Sequence, residues 1–434
     1  MKKIIAMLLA LAMVFALAAC GNTADDKQEN TNAPAASDTA KDDNSSDTKE
    51  PANETSGEPI KIGHICDLTG GEAMTGLEAQ AAMDFAVQYI GEICGRPIEV
   101  VHRDSQSSSA AAVDAARYLA EEEQVVAIFG PSLIGHKGGV ANYAATAEVP
   151  VIFYNPTPEM MIKDNMWVLG AAGSTPQMPT VMADYVYNEL GYRTVVTLTK
   201  DDTGGKSYMD PFAANFTALG GTVADQAWAP ADTTDYSSYL IPVSDDNADC
   251  LIAWTSANAA MQLWNEWFNL GLNEKLPIVA VFHGAFTDSF ICDVLSKQNT
   301  ALVEEILGTN APMTWAYNID TPENNAFVEA YKAAHDGAYP IGNNLPGATV
   351  QALTLLKAGV EALDGDTSDL AALRDAMLAA DITGPEGRTV FENGSNIATK
   401  DVFVVEVVQL EDGSYNYGLV KEYANVSPAG LTVG

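Results

Sequence analysis

Seven short apolar segments, Ile60–Ile65, Ile98–His102, Val125–Phe129, Val151–Tyr154, Thr194–Thr199, Cys250–Trp254 and Ile278–Phe282, alternate along the chain with stretches of helical periodicity. This alternation constrains the fold more than any other feature. Near-continuous apolar strands separated by amphipathic helices, such as Leu77–Ile90 and Ala110–Glu121, bury both faces of a parallel sheet. The pattern runs twice: one set of units ends near Gly173-Ser174-Thr175-Pro176, and a second opens at the helix Met178–Leu190. With 434 residues, 47% of them hydrophobic, the chain can bury two cores. The expected fold is therefore α/β, two doubly wound parallel-sheet lobes. Three later helices, Glu323–Ala334, Ala348–Leu363 and Leu370–Ala380, precede closing strands at Val402–Val408 and Tyr417–Val420. If those helices cover the first lobe, the chain crosses near Pro176, Asn310 and Gly384-Pro385. Lobe 1 is then 59–176 with 311–384, lobe 2 is 177–310 with 385–424, and 425–434 is a C-terminal tail.

Residues 1–19 read as a signal peptide: Lys2 and Lys3 precede an apolar run too short to span a bilayer. The run ends Leu17-Ala18-Ala19-Cys20-Gly21, similar to the bacterial lipoprotein box, which makes Cys20 the expected lipidation site and the membrane anchor. Residues 20–58 form an acidic tether. From Gly21 to Pro59 there is no Val, Ile, Leu, Met or aromatic residue, so this segment cannot build a core. The expected location is the extracytoplasmic side of the cell membrane. A net charge of −36 repels phosphate backbones and excludes nucleic acid as a partner.

Motifs for chemistry are missing. There is no CxxC, HExxH, GxSxG or GxGxxG, and Gly205-Lys206-Ser207 lacks the glycine a P-loop needs at Lys200. Neither a catalytic residue nor a cofactor is expected. His64 and Cys66 share one strand face, which could suit a metal ion, yet no third or fourth ligand follows from the sequence, and strand packing is the favoured reading. Cys66 and Cys94 are either a disulfide or two isolated thiols.

Ligand sites in doubly wound folds lie beyond the carboxyl ends of the strands. Gly130-Pro131-Ser132-Leu133-Ile134-Gly135 follows one strand and opens a helix, so backbone N–H groups there favour an acceptor such as a carboxylate. With Ile60-Lys61-Ile62-Gly63 leading into Leu68-Thr69-Gly70, Val125–Ser132, Val149–Phe153 before Asn155-Pro156-Thr157-Pro158, and Val195–Leu198 before Asp201-Asp202, the chain resembles the type I solute-binding proteins of ABC transporters. The likeness, to the leucine/isoleucine/valine-binding family, runs from Ile60 to Val420. It implies the type I periplasmic binding fold, a multi-crossing hinge between the lobes, a small-molecule ligand and an ABC transporter permease as partner, with the chain a monomer.

It also implies ligand contacts from Thr69, Ser132, Leu133, Ile134, Gly135, Asn155, Thr157, Asp202, Thr203, Ser256, Asn258, His283 and Tyr339. Thr157 reads equally as a helix cap, Tyr339 as core packing, and His283 as a strand end that reaches the cleft or does not. Three departures bear on the ligand. Ile134 stands where the family has a serine hydroxyl, Thr203-Gly204-Gly205 replaces an expected tyrosine, and Ala259 stands where an acidic residue pairs the ligand's ammonium. An unpaired ammonium in a closed site is costly. The expected ligand carries an acceptor end and a neutral body, unless Asp201, Asp202 or Glu159 swings in to replace the missing acid. A sensor of the same fold coupled to a signalling protein is the alternative function, and an exported hydrolase is the rival from another class.

Overall fold

The computed structural model describes residues 57–230, 232–244, 247–255, 257–280, 299–340 and 345–431. The first sheet is built from β1 (Ile60–Cys66), α1 (Ala73–Ile90), β2 (Glu92–Ile93), β3 (Arg96–Asp104), α2 (Ser109–Glu121), β4 (Ile128–Phe129), α3 (Ile134–Ala147), β5 (Val151–Phe153) and β6 (Val168–Gly170). Its order is β2-β3-β1-β4-β5-β6, parallel except for the β2–β3 hairpin. The apolar runs are buried on both faces, Val151, Ile152 and Phe153 completely, each such side chain contributing about 1.5–3 kcal/mol. Ser108 starts α2 by accepting a hydrogen bond from Ala111 N. Of the expected strand Val125–Phe129 only Ile128–Phe129 is regular strand, although Val126 N still donates to Lys61 O.

The second run comprises α4 (Gln177–Asp184, continued by a π-helical turn at Tyr185–Glu189), β7 (Thr194–Lys200), α5 (Thr203–Ala218), β8 (Thr222–Ala229), α6 (Ser237–Val243), β9 (Cys250–Trp254), α7 (Ala257–Asn269) and β10 (Ile278–Ala280). The sheet order is β10-β9-β7-β8, all parallel. Both sheets are thus the doubly wound arrangement that the alternating pattern predicts.

A third sheet was not legible in that pattern. After α8 (Thr300–Ile306) come β11 (Asn310–Met313), α9 (Pro322–Ala334), α10 (Leu345–Ala362), α11 (Leu370–Ala379), β12 (Asp381–Gly384), β13 (Gly387–Val390), β14 (Thr399–Gln409) and β15 (Tyr415–Val426). These strands pair antiparallel in the order β11-β14-β13-β12, with β15 also along β14. Gly384-Pro385 sits in the tight β12–β13 hairpin. Helix α10 lies against α1, where the Thr349 hydroxyl donates to Ala82 O at 3.1 Å.

Candidate functional site

The loops at the carboxyl edges of the first two sheets meet. Ile134, which opens α3 after β4, packs against the cluster of Val195, Tyr208, Met209 and Trp254 built on the second sheet. Glu72, in the loop after β1, lies within the field of Lys200 at the end of β7. Burial holds its carboxyl above the usual range, the Lys200 ammonium opposes that rise, Asp67 reinforces it and His136 opposes it.

Each edge has its own supports. Gly130 has φ +79, and a Cβ there would stand 2.5 Å from Ile65 O, so only glycine brings the chain this close to β1. The Ser132 hydroxyl lies 2.9 Å from Tyr154 OH, which lies 2.8 Å from His64 Nε2. The fully buried Lys137 on α3 donates to Asn155 O and to Thr157 Oγ1, both at 2.8 Å, so the loop after β5 is braced to the helix after β4. Asp67, buried after β1, accepts from Ser105 Oγ at 2.5 Å and lies 3.2 Å from His136 Nδ1, without hydrogen-bond geometry there.

On the second sheet, Asp202 caps α5 by accepting from Gly205 N at 2.8 Å, and Asp201 pairs with Lys206 at 2.7 Å. The Thr203-Gly204-Gly205 departure has a steric cause. Trp254 stacks on Tyr208 with ring centroids 5.5 Å apart, and a Cβ on Gly204 would meet the indole at 2.7 Å.

Several buried polar atoms at these edges have no hydrogen-bond partner among the described residues. They are Asn155 Oδ1 after β5, Thr199 Oγ1 on β7, Trp254 Nε1 at the end of β9 and Thr255 Oγ1 after it. A buried polar atom left unpaired is costly, and such atoms in a cleft mark where a ligand is received. Trp254 Nε1 can only donate.

The residues expected from sequence are distributed as follows. Thr69 is exposed and donates through Oγ1 to Asp104 Oδ2 at 2.6 Å, tying its loop to the end of β3. Leu133 and Ile134 are half-buried at the start of α3, and the exposed Gly135 accepts from Ser109 Oγ through its carbonyl. Thr157 is fully buried, and its hydroxyl is occupied, donating to Asn155 O and accepting from Lys137. Thr203 is exposed as the first residue of α5. Tyr339 packs edge-on to Tyr317 with centroids 5.4 Å apart, under the Lys332 ammonium. Ala259 is buried in α7. Cys20, Ser256, His283 and the side chain of Asn258 lie outside the described residues.

Sequence reasoning overlooked Asp67, Glu72, His136, Lys137 and Trp254. Lys137 carried a signal, a lysine in the first turns of an Ala- and Gly-rich helix, and Trp254 carried another as a strand-ending indole. Cys66 and Cys94 are both unbridged, Cys66 buried and Cys94 exposed. No helix of the described residues is long and apolar enough to cross a membrane.

Residues 59–414 match the model of a family described as periplasmic binding protein. A Leu/Ile/Val-binding protein homologue of Brucella melitensis is 23% identical over 375 residues, which are 86% of this chain and 93% of the relative. Among solved structures, an ABC transporter substrate-binding protein from Sphaerobacter thermophilus superposes with a TM-score of 0.76 at 26% identity, covering 85% of this chain and 99% of its own. A solute-binding protein of an ABC transporter from Rhodopseudomonas palustris, in complex with 3,4-dihydroxybenzoic acid, reaches a TM-score of 0.75 at 19% identity, covering 85% and 98%.

Proposed function

The chain belongs to the periplasmic binding protein family, and from that premise we propose that it is the lipid-anchored substrate-binding protein of an ABC importer, closing two lobes on a small carboxylate. It is a binding protein of the type I fold, not an enzyme, and the small molecule it captures is left unchanged. The lobes are 59–176 with 311–384 and 177–310 with 385–424. The ligand is held by the Gly130–Gly135 loop, Asn155 and the loop of Thr157 from one side, and by Trp254, Thr255 and the start of α5 from the other. Ligand binding draws these edges together, and the closed form is what the permease reads. Cys20 carries the lipid, and residues 20–58 hold the folded part off the membrane.

The observation that carries the ligand class is the buried Trp254 indole, whose N–H has no acceptor among the described residues. A donor that can only donate calls for a carboxylate, carbonyl or hydroxyl oxygen opposite it. Asn155 Oδ1 calls for a donor in turn. Ala259 supplies no charge for an ammonium, and Asp201 and Asp202 are occupied by Lys206 and by the α5 cap. A hydroxy acid with an apolar body meets both demands, its hydroxyl donating to Asn155 Oδ1, without an ammonium that an acidic residue at Ala259 would have to pair. One related protein is named as a Leu/Ile/Val-binding protein homologue and another was solved in complex with 3,4-dihydroxybenzoic acid, so the choice for this chain falls to these side chains.

A thermal-shift screen of aliphatic and aromatic hydroxy and oxo acids tests this reading, since a ligand at a hundred times its dissociation constant adds about 2.7 kcal/mol. Trp254→Phe, which keeps the stacking on Tyr208 and removes the donor, should weaken the best hit by about 1–3 kcal/mol. An unchanged affinity in that variant would contradict the assignment of the indole.

A further inference from the structure

His64 and His102 are register partners on the neighbouring parallel strands β1 and β3, and Cys66 follows His64 by two positions. Side chains two apart on a strand share a face, so all three project to the side of the sheet covered by α1. Their donor atoms lie within 4.8 Å of one another, and His64 Nδ1 is 2.9 Å from His102 Nδ1. The sequence had offered two of these donors on one strand face; pairing of β1 with β3 brings the third.

We propose that His64, Cys66 and His102 form a binding site for a thiophilic first-row transition-metal ion of the zinc type. Two imidazoles and a thiolate are the donor set such ions prefer, and the fourth position stays open to water. The outer partners fit. His102 Nε2 lies 2.9 Å from Asp84 Oδ1 on α1, and His64 Nε2 lies 2.8 Å from Tyr154 OH, so both Nδ1 atoms can turn their lone pairs to one ion. The charges fit as well. The Cys66 thiolate and the exposed Asp84 carboxylate offset the charge of a divalent cation. The His102 and Asp84 side chains, 14% and 56% exposed, give the route in.

Burial holds the Cys66 thiol up at about 12, with Asp67, Asp104 and Asp84 adding to the rise. The same three carboxylates that disfavour a lone thiolate favour a cation beside it. One thiol proton leaves to solvent when the metal–sulfur bond forms. Loading also orders the chain toward the ligand loop. With Nδ1 on the metal, His64 keeps its proton on Nε2 and donates to Tyr154, whose hydroxyl then donates to Ser132.

Cobalt(II) titration of the purified chain, stripped with a chelator, is the test. A thiolate-to-cobalt charge-transfer band should saturate at one equivalent and be displaced by Zn²⁺. It should vanish in Cys66→Ser and His102→Gln and persist in Cys94→Ser. Asp84→Asn, a change on an exposed helix face that leaves folding intact, should weaken binding about 10–100-fold. No band in the folded wild type, full affinity in Asp84→Asn, or a band that survives Cys66→Ser would overturn the site.

Discussion

A lysine ammonium shut away from water needs acceptors for its protons, and Lys137 finds them in Asn155 O, Thr157 Oγ1 and, at 3.4 Å, Pro156 O. Burial still pushes its pKa down to about 7 from the ordinary 10.5. In the unfolded chain the group holds its proton up to the ordinary value. Between about pH 7 and 10.5 the unfolded state therefore binds more protons, and stability from this group rises with pH. Below about 7 both states are protonated, and the penalty is constant at its full size, up to about 4–5 kcal/mol. Lys137→Met should remove the rise: unfolding free energies measured across that range should show the variant gaining on the wild type toward low pH. A difference independent of pH would contradict this. Lys137 also shows why the site was only partly legible. Asn155 and Thr157 are flagged by following a strand, whereas a brace that reaches them from the next helix becomes visible only when the loops are folded together.

Elements were legible where both faces are buried. The strands of the two parallel sheets announce themselves as apolar runs, but β8, at a sheet edge with only Ala229 buried, passes for a loop. Gly384-Pro385 punctuates the chain, and the structure places it in the β12–β13 hairpin. That hairpin is fixed by a buried ion pair. Lys400 on β14 lies 3.2 Å from Glu386, both side chains at most 1% exposed. Thr314, just past β11, donates to the other Glu386 oxygen at 2.6 Å, and Gln351 on α10 donates to Gly387 O and Thr389 Oγ1. Burial already holds the Glu386 carboxyl above its usual range despite Lys400. Lys400→Met should therefore cost about 3–5 kcal/mol in denaturant unfolding, and Glu386→Leu added to it should restore most of that loss. A single variant within about 1 kcal/mol of wild type would mean the pair does not hold the sheet.

At the scale of the molecule, anchor and binding site are expected to be independent, because a segment without Val, Ile, Leu, Met or aromatic residues joins them. Cys20→Ser should move the protein from the membrane fraction to the soluble fraction with its ligand affinity unchanged; retention in the membrane would remove the lipid anchor. The two doubly wound sheets could be read from periodicity, while the meeting of their carboxyl-edge loops, through Ile134 and through Glu72 and Lys200, could not. The proposed ligand class rests on Trp254 and Asn155, whose buried polar atoms have no hydrogen-bond partner among the described residues. Calorimetry of the purified chain with leucine and with its 2-hydroxy acid tests it most directly, because the two differ only in the group that the missing acid at Ala259 would have paired. The 2-hydroxy acid should bind at least about tenfold tighter, a difference of about 1.4 kcal/mol. Leucine binding more tightly than the 2-hydroxy acid, and losing that advantage in Glu72→Gln, would contradict the account and name Glu72 as the ammonium's partner.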